Sequence, residues 1–272
     1  METKLVALIM IVVAVSGCSQ LPTNGNKDPS VENKQVAGKG LEVTSFRAVD
    51  NTLRPGQRTK VVLNLRNYHT SDISIINKTL INTGLLRASN RDCSPNNIRR
   101  AQKDLQPEMR CEWDVSVPSS VELSTEKKPQ SMTLFLKYSS SLTLVNPLKL
   151  DFKQYSNVNS TSTVTRSFSN GEVRGQMTVE TPATLQGRKV DFTVREVGSG
   201  RVTSKYTFDF FPQTPQVFYG CPEDEAKEPI VGKKLEFSCT VRTDSPTTKS
   251  LYFSTYYKYA KEPTLNINIV NN

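Results

Sequence analysis

GQRTKVVLNLRN, residues 56–67, places Val61, Leu63 and Leu65 on alternate positions, with Lys60, Val62, Asn64 and Arg66 between them. A period of two following a glycine turn predicts a half-buried β-strand. GRKVDFTVREV, residues 187–197, repeats the arrangement with Val190, Phe192 and Val194. The two stretches then share a downstream order. Each is followed by two cysteines eighteen residues apart, Cys93 and Cys111 in the first case, Cys221 and Cys239 in the second. Each segment closes on a proline and a final strand, NPLKLDF (146–152) and EPTLNINIV (262–270). An ordered recurrence of this kind indicates two homologous domains.

The remaining apolar positions obey the same period. Trp113, Val115 and Val117 alternate, as do Met132, Leu134, Leu136 and Tyr138. Further on, Tyr206, Phe208 and Phe210 alternate, and Leu251, Phe253, Thr255, Tyr257 and Tyr259 share one face, with Tyr252, Tyr256 and Lys258 on the other. Turn signals at Arg54-Pro55-Gly56, Gln186-Gly187 and Gly198-Ser199-Gly200 punctuate the strands. Residues 97–106 are the best helical candidate, as a short insertion between the first cysteine pair. Each segment therefore holds about seven strands in about 110 residues, the proportions of an immunoglobulin-like sandwich. The predicted fold is all-β, with two tandem immunoglobulin-like β-sandwich domains over 40–153 and 163–272. YSNVNSTSTV supplies linker composition between them, and the linker is set at 154–162.

Four cysteines allow three pairings; if each domain folds as a unit, the pairs are Cys93–Cys111 and Cys221–Cys239. Each would close a loop worth roughly 3 kcal/mol in the chain-entropy model. Trp113, two residues after Cys111, is placed to cover the first bridge. Neither pair has CxxC spacing and the chain has a single histidine, His69, so no zinc or other metal site is expected. No cofactor is expected either.

The fifth cysteine has another context. KLVALIMIVVAVSGCSQ (4–20) contains an apolar run, Leu5–Val15, far short of the roughly 20 residues that span a bilayer. It fits a signal peptide over 1–17. Val15-Ser16-Gly17-Cys18 resembles the lipobox of prokaryotic lipoproteins. That resemblance implies cleavage before Cys18 and a lipid on its sulfur, making membrane lipid a partner. Residues 18–39, polar and rich in Pro, Gly and Asn, would form the lipidated cysteine and a flexible tether. In addition, LEVTSFRAVDNTLRPGQRTKVVLNLRN (41–67) resembles cell-surface sandwich modules of the CARDB type, with Pro55, Gly56 and Asn67 in the matching places. The family implies adhesion or scaffolding at a cell surface.

Chemistry is sparse. His69 lies in RNYHTSD, which looks like an exposed turn, and no nucleophile elbow, HExxH, Walker or dinucleotide motif is present. No catalytic residue is assigned and the chain is expected not to be an enzyme; a carboxylate-based hydrolase is the alternative kept open. The net charge of +9 is scattered without a dense basic block, so nucleic acid is not expected as a partner. The inter-cysteine loops differ in sign. Arg99, Arg100 and Lys103 make the first basic, whereas Glu223, Asp224 and Glu225 make the second acidic, a pairing suited to head-to-tail self-association. The acidic cluster lacks the alternating spacing of a calcium loop. Asn77 and Asn159 head N-glycosylation sequons. The functional expectation is a lipid-anchored extracytoplasmic protein, at the cell surface or in a periplasm, that acts in adhesion, scaffolding or protein interaction. Its partner would be a protein or cell-surface polymer; capture of a glycan or peptide ligand between the domains is the alternative.

Overall fold

The computed structural model describes residues 40–102, 105–212, 216–222 and 234–271. The first segment contains β1 (Leu41–Ala48), β2 (Thr52–Leu53), β3 (Arg58–Asn67), β4 (Ser74–Ile81), β5 (Arg87–Ser94), β6 (Glu108–Ser116), β7 (Lys127–Thr143) and β8 (Leu148–Lys153). A 3-10 turn at Tyr155–Asn157 leads into the second. There the strands are β9 (Ser162–Ser169), β10 (Val173–Thr181), β11 (Ala183–Thr184), β12 (Arg188–Glu196), β13 (Arg201–Val202) and β14 (Thr207–Phe211). β15 (Phe218–Tyr219), β16 (Leu235–Val241), β17 (Thr247–Lys261) and β18 (Thr264–Val270) complete the chain.

β3 and β12 are central. β3 lies between β1 and β6 in a sheet ordered β1-β3-β6-β5, and β12 lies between β10 and β16 in a sheet ordered β15-β16-β12-β10-β9. Their alternate residues Val61, Leu63, Leu65 and Val190, Phe192, Val194 are buried. A third sheet, ordered β11-β8-β17-β7-β18-β2, faces both of them, with β4 paired to β7, and β13 and β14 paired to β17. The architecture is thus two immunoglobulin-like sandwiches that share one outer sheet. The cores differ in kind. The first is filled by Leu63, Leu65, Met109, Trp113, Val115, Leu134 and Leu136. The second is a phenylalanine cluster in which Phe192, Phe210, Phe237 and Phe253 lie at centroid distances of 5.0–6.3 Å.

Sharing comes from the two longest strands. β7 has 17 residues and β17 has 15, each longer than one sandwich needs. Their adjoining parts pair antiparallel, from Leu136 with Lys261 to Thr143 with Ser254. The rest of each long strand carries the final strand of the other segment. β8 pairs with Thr247–Leu251 of β17, and β18 pairs with Lys127–Thr133 of β7. The short strands follow their new neighbours, β2 lying parallel to β18 and β11 parallel to β8. The final strands are therefore exchanged between the two sandwiches.

Each sandwich carries one local disulfide, Cys93–Cys111 joining β5 to β6 and Cys221–Cys239 joining the segment after β15 to β16. Their equal spacing conceals different seats. Tyr68 N–H donates to the Gly40 carbonyl, and Val197 N–H donates to the Glu172 carbonyl, which aligns β3 with β12. On that alignment Val61 matches Val190. Val61 faces Trp113, whereas Val190 faces Cys239, so the second cysteine of the second pair occupies the place of the tryptophan.

The helical candidate at 97–106 is not a helix in its described residues. Its backbone groups are taken by neighbours: Ile98 bridges Ile73, Arg100 N–H donates to Asp72 Oδ1, and Ala101 N–H donates to the His69 carbonyl. Ile98 is buried by this crossing.

Strand exchange has a direct consequence for dissection. Residues 40–153 and 163–272, produced separately, should each lack cooperative unfolding, because each is missing the strand that flanks its long strand. Mixed, they should form a one-to-one complex by sedimentation and recover slow amide exchange at 127–133 and 247–251. Two independently stable fragments would contradict the exchange.

Candidate functional site

Where β7 and β17 pair, their residues must face the sheets of both sandwiches at once. Tyr138 stands opposite Tyr259, and Ser140 opposite Tyr257. All four are buried, and their hydroxyl groups need partners in a region closed to water. Glu172 supplies most of them. It precedes β10 on a turn organised by Asn170, whose Oδ1 accepts the N–H groups of Glu172 at 3.1 Å and Val173 at 3.0 Å. The Asn170 amide donates in turn to the Ser141 carbonyl at 2.8 Å and the Tyr257 hydroxyl at 2.6 Å.

The Glu172 side chain has no exposed surface. Its Oε1 accepts from Leu41 N–H at 3.1 Å, His69 Nε2 at 2.9 Å and the Tyr138 hydroxyl at 2.5 Å. Its Oε2 accepts from Ser140 Oγ at 2.9 Å and the Tyr257 hydroxyl at 3.4 Å. Four of these donors belong to the first segment, so the carboxylate binds the halves together. Burial opposes its ionisation, but hydrogen bonding and attraction by His69, with the Tyr138 and Leu41 donors, outweigh burial and hold the carboxyl below its ordinary range. Burial, then the Glu172 charge, drives the Tyr138 and Tyr257 phenols well above theirs. Burial likewise raises Tyr259, to about 12. The tyrosines therefore remain neutral donors.

His69 is 3% exposed, which corrects its reading as an exposed turn. The chain after β3 folds inward because buried Asn67 accepts the His69 N–H and donates to the Arg99 carbonyl. Space for the cluster comes from two glycines. Gly40 matches Glu172 and Gly198 matches His69 on the hydrogen-bond alignment above. A Cβ on Gly40, whose φ is +66°, would lie 2.6 Å from Glu172 Oε1. One on Gly198 would lie 2.6 Å from the Tyr259 hydroxyl and 3.0 Å from the Glu172 Cα. One Glu and one His fit at the junction, and their counterparts are glycine for that reason.

Beside the cluster a cleft of about 680 Å³ opens between the halves. Glu42 and Val43 of β1 form one wall; Gly171, Ser199–Arg201 and the 260–263 turn form the others. Arg201 donates to Glu262 at 2.6 Å. The Lys261 ammonium donates to the Leu41 carbonyl; burial lowers its pKa, against the attraction of Glu172 and Glu42. The cleft is thus charged on its rim and rests on the polar cluster. The Tyr259 hydroxyl accepts from the N–H of Gly200 in the cleft wall at 2.9 Å.

The sequence candidates are dispersed. Arg99 and Arg100 are exposed, while Lys103, Glu223, Asp224, Glu225 and Cys18 lie outside the described residues. Asn77 sits half-buried on β4 and accepts from the Thr79 hydroxyl; Asn159 is exposed between β8 and β9. Tyr252 and Tyr256 are exposed on the outer face of β17, as its alternation predicts. Nothing local in the sequence singled out Glu172 or Ser140, because every partner of the carboxylate is distant along the chain.

No protein-family model matches the chain, and no curated protein matches it in sequence. Among solved structures, the secreted serine protease VesC from Vibrio cholerae is similar at 14% identity and a TM-score of 0.26, over 84% of this chain and 51% of that one. The chain thus spans about half the length of that protease. The Enterococcus faecalis MSCRAMM ACE, described as binding its ligands by the collagen Hug model, is similar at 7% identity and a TM-score of 0.17, over 84% of this chain and 95% of that one. Collagen adhesin CNA from S. aureus is similar at 11% identity and 0.19, over 87% and 94%. At such identities none of these likenesses transfers a function. The expectation that the chain is not an enzyme is nevertheless overturned. The secreted serine protease among the similar structures is the finding that stands against it.

Removing the carboxylate should expose its importance. Glu172→Ala strands several buried donors and should cost about 3–5 kcal/mol in chemical denaturation. A folded-state carboxyl below its unfolded value stabilises the protein fully above the unfolded value, and that contribution is lost as pH falls through the folded one. Unfolding free energy should therefore drop below the ordinary glutamate value of 4.5. Glu172→Gln should flatten that part of the pH profile; an unchanged profile would count against an ionised Glu172.

Proposed function

We propose that the chain is a lipid-anchored extracytoplasmic binding protein whose fused double sandwich takes a protein or cell-surface polymer in the cleft between its halves. The observation that carries this reading is the cleft itself. Both segments contribute walls, exchanged strands hold those walls in fixed relation, and charged groups line the rim. A preformed concave site of this size, with a few polar groups, is the usual form of a binding site. Two disulfides suit an extracytoplasmic protein. The lipobox-like Val15-Ser16-Gly17-Cys18 supports the anchor, and the polar 19–39 stretch supports a tether long enough to present the body away from a membrane. Adhesion and scaffolding are the roles such an arrangement serves.

Address and binding can be tested separately. Cys18→Ser should move the protein from the membrane fraction to the soluble fraction or block its processing; undisturbed membrane retention would refute the anchor. For the cleft, a photo-crosslinking residue is placed at Ser199 in the cleft or at Lys149 on the exposed face of β8. Irradiated intact cells should give a discrete adduct at 199 and none at 149. Equal labelling at both positions would remove the cleft from consideration.

A further inference from the structure

The two halves differ at one edge. In the second, β10 is covered along its length by β9, from Ser169 opposite Arg174 to Ser162 opposite Thr181. β1 is the counterpart of β10, since each pairs with its own central strand and is followed by a two-residue strand, β2 or β11. Among the described residues, β1 pairs with β3 alone. Its outer edge has the place that β9 fills in the other half.

That edge offers hydrogen-bonding groups. Tyr68 N–H donates to the Gly40 carbonyl at one end, and Val49 N–H donates to the Lys60 carbonyl at the other. Antiparallel alternation, shifted once at the bulge between Val43 and Ser45, then turns the N–H and C=O of Leu41, Val43, Phe46 and Ala48 away from β3. The junction uses those of Leu41, which meet Glu172 and Lys261. Val43, where the edge unpaired among the described residues begins, also lines the cleft. Val43, Phe46 and Ala48 are only partly buried, so a strand laid here would cover apolar surface as well.

We propose that the outer edge of β1 receives an extended segment of a partner polypeptide, added as a strand in the manner of β9 and leading into the cleft. This rests on the binding role above and names its ligand class. The chemistry follows from β9, Ser-Thr-Val-Thr-Arg-Ser-Phe-Ser, which carries one charge and pairs through its backbone. One position must differ. Phe168 packs over Gly175, where a Cβ would come within 2.5 Å of the ring. The counterpart of Gly175 in β1 is Val43, whose side chain fills that space. The bound segment therefore carries a small residue there.

The probes are two octapeptides, Ser-Thr-Val-Thr-Arg-Ser-Ala-Ser and the Phe form found in β9, titrated into the full chain and followed by amide NMR. The Ala peptide should shift the Val43, Phe46 and Ala48 amides and slow their exchange by roughly tenfold or more, with the Phe peptide severalfold weaker. Ala48→Pro removes an outward N–H without removing a bond to β3, so it should weaken binding and leave the fold intact; Val43→Pro is the second such variant. Unshifted β1 amides at millimolar peptide, shifts confined elsewhere, or undiminished binding by both variants would overturn the proposal. It would also fall if these amides are already protected in the free chain. Loss of that protection on removing residues 1–38 would assign the edge to the chain's own segment, and a sedimenting dimer would assign it to a second copy. Cleft crosslinking that persists without peptide binding would sink the edge assignment alone and leave the binding role standing.

Discussion

The antiparallel pairing of β7 with β17 is the constraint on which the rest of the structure depends. Eight residues of each strand meet, from Leu136 to Thr143 and from Ser254 to Lys261. Neither strand has the other as its sole neighbour on that side. Beyond the shared stretch each must be flanked by something, and the final strand that comes within reach belongs to the opposite segment. Exchange of β8 and β18 follows, and with it the parallel attachment of β2 and β11. One ladder thereby turns two sandwiches into one body.

Such a junction brings matching parts of two repeats into the same space, and identical side chains there would collide. The outcome is a division of roles: Glu172 against Gly40, and His69 against Gly198. Burying a carboxylate is costly unless donors surround it. Here five donors do so, from Leu41, His69, Tyr138, Ser140 and Tyr257. They also fix register. A one-residue slip of β17 along β7 would turn Tyr257 and Tyr259 outward and bring Tyr256 and Lys258 beneath the sheet. The cluster works against that alternative more sharply than apolar packing would, because an unfilled hydrogen bond in a buried site is penalised in full.

Much of the fold was legible in the sequence because it is set locally. Alternation at 61–65, 190–194 and 251–259 marks strands and their buried faces: Leu251, Phe253, Thr255, Tyr257 and Tyr259 of β17 are all buried, and the junction buries Ser254 and Ala260 of its other face as well. Cysteine spacing gave pairs within each segment, although equal spacing did not mean equivalent seats. The final strands were legible as strands, yet NPLKLDF and EPTLNINIV carry no mark of which sandwich they complete. That choice depends on the lengths of β7 and β17. His69 was misread for a related reason. Its setting in RNYHTSD, with Asn67, Ser71 and Asp72 around it, suggests a turn, while its partner Glu172 lies 103 residues away. The 97–106 stretch has helical composition, but its backbone is engaged by Asn67, His69, Asp72 and Ile73, again chosen by tertiary structure.

The same constraint limits how the cleft can respond to a ligand. Hinge opening would have to pull β8 from β17 and β18 from β7, while also separating Glu172 from its donors in the first segment. That is the rupture of two ladders and of the hydrogen bonds around a buried carboxylate, not a low-energy motion. On the binding role proposed above, a ligand is therefore accommodated by side chains on a fixed frame, which spares the ordering cost that flexible sites carry. The rim groups differ in their freedom to take part. Arg201 and Glu262 form a largely exposed pair, and such pairs contribute at most about 1 kcal/mol. Either partner can turn towards an incoming charge at little cost. Lys261 cannot, since it is mostly buried and committed to the Leu41 carbonyl that also positions β1. On the binding role proposed above, Arg201 and Glu262 are the rim groups free to adjust to a charged group, while Lys261 keeps the β1 wall in place.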